Sequence, residues 1–391
     1  MSASRGASVT RSPRTDPAPE PPPGLATVLR EWGRIGCIGF GGPPTHIALT
    51  RALVVGRGWM SSEEVEDAIA ACNLLPGPAS TQLAIYCAWR LRGWAGAIAG
   101  GLGFIVPGFL LILALSALFL AGSPPDWVRG AGAGAGAAVA AVAVHAGLQL
   151  APASRKRAHR RRWWVYAAAG AASAATIGPW LVLVLLGCGV VELAVRRVTL
   201  GGTAAIAPAA VATGGLASLA WVAFKVGALS YGGGFVIVPL MQNDAVDRYH
   251  WLTGGQFLNA VALGQVTPGP VVLTVAAVGF AAFGVGGALL AAAVAFAPSF
   301  AFVLLGGSRF DRIRRDERAR TFLDGAGPAA VGAILGSAIP LARALHEPWQ
   351  WGVLAGAAVL LLPLRRGVVP TLVAAGAVGV VVALAGGPLP H

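Results

Sequence analysis

Residues 34–43 read Arg-Ile-Gly-Cys-Ile-Gly-Phe-Gly-Gly-Pro, and residues 75–82 read Leu-Pro-Gly-Pro-Ala-Ser-Thr-Gln. Both stretches interrupt apolar runs with residues that break or relax a helix. Proline removes a backbone donor and clashes with the preceding turn, and glycine opens angles closed to other residues. The same punctuation returns later in the chain. Arg34, Phe40-Gly41-Gly42, Trp59, Pro76-Gly77-Pro78, Gly96 and Pro107 are matched by Lys225, Tyr231-Gly232-Gly233, Trp251, Pro268-Gly269-Pro270, Gly287 and Pro298, each 191 or 192 residues on. Six landmarks in constant register indicate an internal duplication.

Composition places the duplicated unit in a bilayer. Of 391 residues, 12% are charged and 56% hydrophobic, with 55 glycines. An average soluble domain carries about 25% charged residues, so there are too few charges here for a polar coat. Stretches 94–121, 131–153, 163–191 and 371–390 run without a fixed charge for the roughly 20 residues that cross a hydrocarbon core. Stretch 270–308 is long enough for two spans with a turn between them.

Lys and Arg outnumber Asp and Glu by 29 to 16, a net +13. The excess sits in short loops, Ser-Arg-Lys-Arg-Ala-His-Arg-Arg-Arg at 154–162 and a loop with six arginines at 309–320. This pattern fits cytoplasmic loops under the positive-inside rule, and nucleic acid is not an expected partner. Loop 122–129 is nearly neutral, while its repeat counterpart 309–320 is strongly basic; 90–92 carries two arginines, while its counterpart 281–283 carries none. Equivalent loops thus have opposite charge character. The expected fold is an all-α integral membrane protein, a polytopic helical bundle of two inverted-topology repeats with broken or re-entrant helices. The expected division is a disordered cytoplasmic tail at 1–24, a first membrane repeat at 25–200 and a second at 201–391. Segment 163–215 is expected to connect the halves by an odd number of crossings, with 163–195 either one span or a short hairpin.

Broken backbone at membrane depth survives only when buried in protein or lining a wet cavity. A helix that restarts after a break points free N–H groups and its positive dipole end toward the gap, a seat for an anion. The candidate substrate-binding residues are therefore Gly41, Gly42, Pro76, Gly77 and Pro78 in the first half, with Gly232, Gly233, Pro268, Gly269 and Pro270 in the second. Tyr231 precedes the second glycine run. His46, Asn73, Ser80, Gln82, Gln265 and Thr267 flank the breaks and offer hydrogen bonds. Arg34 and Lys225 are the cations at equivalent positions in apolar segments, either marking the substrate path or snorkelling to the interface. His145, alone among Ala and Val, reads as a helix–helix contact. Glu63 and Glu64 after Ser61 read as an acidic first helical turn. The four cysteines form no close pair, and neither a metal site, a cofactor nor a catalytic constellation is expected.

At Phe40-Gly41-Gly42-Pro43 with His46, Leu75 to Gln82, Ser230 to Gly234 and Gln265 to Pro270, the chain resembles the chromate ion transporter family in its long two-domain form. The likeness runs over roughly 25–386. Pro44-Thr45 stands where the family more often has a small pair before the histidine. The resemblance implies a secondary transporter, not an enzyme. It would export chromate across the plasma (inner) membrane as a multi-pass protein and confer chromate resistance. Sulfate, with the same charge and shape, is the alternative substrate. A non-transporting membrane scaffold or membrane-embedded enzyme is the reading from another class. Expected partners are the oxyanion, the lipid bilayer and, as a homodimer, a second copy of the chain. Reporter fusions in 154–162 and 309–320 should both give cytoplasmic signals; opposite signals would contradict the inverted repeat.

Overall fold

The computed structural model describes residues 21–120, 124–157, 159–176, 181–196, 215–230, 236–307 and 316–390. Most of the expected tail lies outside them. The described chain is helical, with no strand among the described residues. In order, the helices are α1 (Leu25–Ile38), α2 (Pro43–Gly56), α3 (Ser62–Cys72), α4 (Ala79–Phe119), α5 (Asp126–Ala137), α6 (Val139–Arg157), α7 (Arg160–Thr176) and α8 (Leu181–Val195). There follow α9 (Gly215–Leu229), α10 (Ile237–Gln242) running into a π-turn (Asn243–Arg248), α11 (Gly254–Val266), α12 (Thr274–Gly306), α13 (Glu317–Arg343), α14 (Pro348–Leu361) and α15 (Val368–Leu384). Four stretches of helix are long and apolar enough to cross a membrane. Large apolar side chains such as Trp94, Leu110, Val191, Val373 and Val381 stand exposed on the outside. Water would not tolerate that surface and lipid does, so this is a multi-pass membrane protein.

The element order from α1 to α8 recurs from α9 to α15, with α5 and α6 together corresponding to α13. Local geometry recurs as well. Arg92 and Gly93 leave the helical region at φ/ψ −142/23 and 58/−145, and Phe283 and Gly284 do so at −145/28 and 61/−151. The positive φ explains the glycine in each pair. Helix α3 opens on a capping box of Ser61 and Glu64, and α11 opens on one of Thr253 and Gln256. The acidic turn read from the sequence is thus a cap, as expected.

Those non-helical pairs are hairpin turns. A Cβ on Gly96 would collide with the Ala88 carbonyl oxygen, and one on Gly101 would come within 3.1 Å of the Ile85 side chain. In a straight helix such residues lie more than 10 Å apart. Both α4 and α12 therefore double back. The arm 79–91 is about 20 Å long at ~1.5 Å per residue, too short for a ~30 Å core, whereas the arm 94–119 is about 39 Å. The short arm pairs instead with α3: Arg90 near its end bonds Glu64 near the start of α3 at 2.7 Å. So α3 and the first arm of α4 form a re-entrant hairpin with Pro76-Gly77-Pro78 at its tip. In the second half the rings of Trp251 and Phe283, 6.2 Å apart, close the base of the matching hairpin, whose tip is Pro268-Gly269-Pro270.

Across the repeats, Trp89 meets Gly307, Gly101 meets Phe300 and Gly108 meets Pro268 and Leu273. Gly279 packs on Gly287, so Leu273 lies level with a point on the long arm of α12 ahead of Phe300. From Gly101 to Gly108 the facing position on α12 thus moves back toward its turn, and the two long arms pass in opposite directions. Helices α7 and α8 form a hairpin packed on α13 of the other repeat, while α14 and α15 pack on α5 and α6. Stretch 163–195 is therefore a hairpin, and its counterpart is α14–α15; it belongs to a repeat and not to a connector. Gly332 and Gly336 of α13 pack on Ala167 and Ala171 of α7. The two helices thus run parallel and begin at the same end of the molecule. Gly96→Leu should abolish a monodisperse, cooperatively unfolding protein in detergent. Gly356→Leu, where nothing lies within 4 Å, should leave the melting temperature unchanged. Equal behaviour of the two would contradict the hairpin.

Candidate oxyanion site at the hairpin tips

The interrupted segments converge. The backbone N–H of Gly269 donates to the Gly39 carbonyl at 3.1 Å, joining the second Pro-Gly-Pro tip to the end of α1. The same carbonyl accepts from His46 Nε2 at 2.8 Å. His46 is fully buried, edge-on to Phe104 at 5.1 Å, with Nδ1 3.4 Å from the Ser80 hydroxyl. Nε2 is the donor to that carbonyl, and Nδ1 is paired with a hydroxyl that can donate or accept. The imidazole fixes the first break from behind and does not face the cavity.

Each tip wedges into the other repeat's long hairpin. A methyl on Gly108 would strike the Pro268 carbonyl oxygen, and one on Gly77 would come 3.6 Å from the Ser299 hydroxyl. Gly108 and Ser299 are repeat equivalents. Gly77 and Gly269 carry φ of 114 and 98, which is why glycine sits between the prolines. The Pro76 carbonyl accepts from Gln82 Nε2 at 2.7 Å. Pro78 caps α4, its carbonyl receiving the N–H groups of Thr81 and Gln82, while Pro270 receives that of Leu273.

A cavity of 540 Å³ lies against the first tip and adjoins one of 60 Å³ against the second. They share Pro43, Pro44, Ala146 and Gln149. Asn73, Leu75, Gly77 and Ala79 line the larger, with α6 and α13 as its far wall. Gly41, Gly42, Gln265, Thr267, Gly269 and Val271 line the smaller, with His145. No Lys, Arg, Asp or Glu lines either cavity among the described residues. What the walls offer is the start of α4 at Ala79, the restart after the second break at Val271 and side-chain amides. The Gln265 amide nitrogen is buried without a partner, as are Gln82 Oε1 and the hydroxyls of Thr81 and Ser299. Buried groups of this kind are costly unless a ligand or water completes them.

A family profile described as chromate transporter matches residues 26–193 and 217–381. The chain belongs to the chromate transporter family. A chromate transport protein of Cupriavidus metallidurans is 32% identical over 90% of this chain and 91% of its own. One of Pseudomonas aeruginosa is 30% identical over 89% of each, and a probable chromate transport protein of Synechococcus elongatus is 30% identical over 83% of this chain and 86% of its own. No solved structure matches this chain.

Within this family member the two candidate cations have different surroundings. Lys225 is ion-paired with buried Asp244 on the π-turn, stands over Trp221 at 5.9 Å, and has Arg248 on the far carboxylate oxygen at 3.9 Å. Arg34 is exposed on the outer face of α1; the position matching Asp244 in its repeat is Leu53, which offers no carboxylate. Neither cation lines the cavities. Tyr231, Gly232 and Gly233 lie outside the described residues. Asn73, expected to offer hydrogen bonds beside the first break, lines the larger cavity. Two wall residues escaped the sequence reading, Gln149, not named, and His145, read as a packing contact. The signal for the last two was available, since polar residues four apart in an Ala/Val/Leu helix share one face. Lys225→Gln should destabilise the protein by about 3–5 kcal/mol, the cost of stranding a buried charge, with recovery in Lys225→Gln/Asp244→Asn. Arg34→Gln should melt like the parent. Thermal unfolding in detergent distinguishes these; equal losses would contradict the assignment.

Proposed function

We propose that this protein is a secondary transporter that exports chromate across the plasma membrane, binding it where the interrupted helices meet. The observation that carries the reading is the cleft itself. Two restarting helices border adjoining cavities lined by both repeats, with the unpartnered Gln265 amide in the wall, in a chain from the chromate transporter family. Helix N-termini and amide donors hold tetrahedral oxyanions without a fixed cation. Leaving cations out of the wall also lets a dianion depart, since conduction needs binding weak enough to release.

The opposite running of α4 and α12 supports an inverted pair of repeats, and rocking of one repeat against the other gives alternating access around a fixed site. The exchanged hairpins α7–α8 and α14–α15 tie the two halves together during such a motion. Sulfate is the second reading, favoured by one feature of the walls. They present N–H and hydroxyl groups that recognise oxygen and charge, and nothing that distinguishes chromium from sulfur at the centre.

Energised everted vesicles containing the protein should accumulate labelled chromate, and host cells producing it should tolerate more chromate in the medium. Sulfate at equal concentration should reduce the uptake. Accumulation no greater than in vesicles lacking the protein would overturn the export reading.

A further inference from the structure

We propose that His145 and Gln149 form a proton-operated switch that sets the oxyanion affinity of the cleft; this rests on the oxyanion reading above. The two residues are one helical turn apart on α6. Gln149 borders both cavities and His145 borders the smaller one, facing the second hairpin tip. His145 and the Cys72 thiol are the only ionisable side chains among the described residues lining the two spaces.

The Gln149 amide nitrogen lies 2.7 Å from His145 Nε2. In the neutral ring that nitrogen accepts, so Gln149 spends an N–H on the histidine. Its carbonyl oxygen is then the free end of the amide at the cavity wall, an acceptor, which repels an anion. Nδ1 then keeps the ring proton. When Nε2 gains a proton it becomes a donor, and the carboxamide must turn its oxygen to the imidazolium. The NH2 group then swings to the cleft. One proton thereby adds a positive charge to a wall that has none and replaces an acceptor by two donors. An oxyanion binds the protonated state more tightly, and by linkage its arrival favours protonation.

Other charges that face α6 are remote along the sequence from this turn. Helices α11 and α14, which pack on it, carry no ionisable side chain within their helical spans. On α13 the charged residues are Glu317, Arg318, Arg320 and Asp324 near one end and Arg343 at the other; α5 has Asp126 and Arg129 at its start. Arg365 and Arg366 follow α14, and Arg155 and Lys156 end α6 itself. None of these borders either cavity, which leaves the imidazole as the titrating group there.

The test is chromate binding to purified protein between about pH 6 and 9, a range that brackets the ordinary histidine value of ~6.5, in the parent and in His145→Gln. Above the imidazole titration the parent should lose affinity by about tenfold per pH unit, the linkage slope for one proton. His145→Gln should lack that component. Protonation of chromate itself affects both proteins equally and cancels in the comparison. Should His145→Gln fail to fold, His145→Asn serves instead, and its slope should lack the same component. Parallel slopes in parent and variant, with binding intact, would overturn the switch and leave the oxyanion site standing. Absence of chromate binding by the parent at every pH would overturn both.

Discussion

The Gly39 carbonyl accepts from Gly269 of the other repeat and from His46 of its own, and the position of the interrupted helices depends on that junction. A chain that stops and restarts its helices in a bilayer exposes donors and acceptors that lipid cannot satisfy. The fold answers by pressing each tip into the flank of the opposite repeat, where glycine or serine leaves room at positions 108 and 299. Of the groups left unpartnered, the Gln265 amide borders the smaller of the two adjoining cavities. Packing explains the shape of the molecule, and the leftover polar groups explain its chemistry.

Charge is handled apart from those cavities. Asp244 is neutralised by Lys225 and Arg248, Glu31 lies beside Arg30 and Arg57, and Glu192 is held by Arg162, Arg196 and Tyr166. These clusters pin helix arms and bundle corners, where an unpaired buried charge would be costly. The proposed substrate region offers backbone dipoles and amides instead, groups that attract an anion without trapping it. Arg34 and Lys225 occupy equivalent positions yet have lost equivalence, because a carboxylate exists at 244 and not at 53. A duplicated fold can keep its backbone symmetric while its ion pairs drift.

Much of this was legible in the primary structure. The breaks, their register and the all-helical membrane class follow from Gly, Pro and the scarcity of charge, because backbone rules act locally. The turn in 270–308 could be anticipated from length alone, and the tips at Pro76 to Pro78 and Pro268 to Pro270 do border the cavities. Side-chain roles were harder. Whether Arg34 faces a cavity or the outside depends on helix rotation: Val28, Glu31, Trp32 and Ile35 form the buried face of α1 and Arg34 stands off it, a periodicity that the landmarks alone did not use. Lys225 found its partner 19 residues away on a π-turn, a geometry with no periodic signature. His145 became a wall residue only because α6 lies across the tips, a tertiary fact. The hairpin at α7–α8 likewise belongs to an exchange between repeats that no local feature announces.

The central claim is that both Pro-Gly-Pro tips share one oxyanion site inside the bilayer. A cryo-electron microscopy map of the protein in lipid nanodiscs with chromate tests it most directly. The account predicts density for the ion beside Gly77, Gln265 and Gly269, with the two tips facing across it. An ion seated elsewhere, such as beside Arg34, or tips lying apart in open solvent, would contradict it.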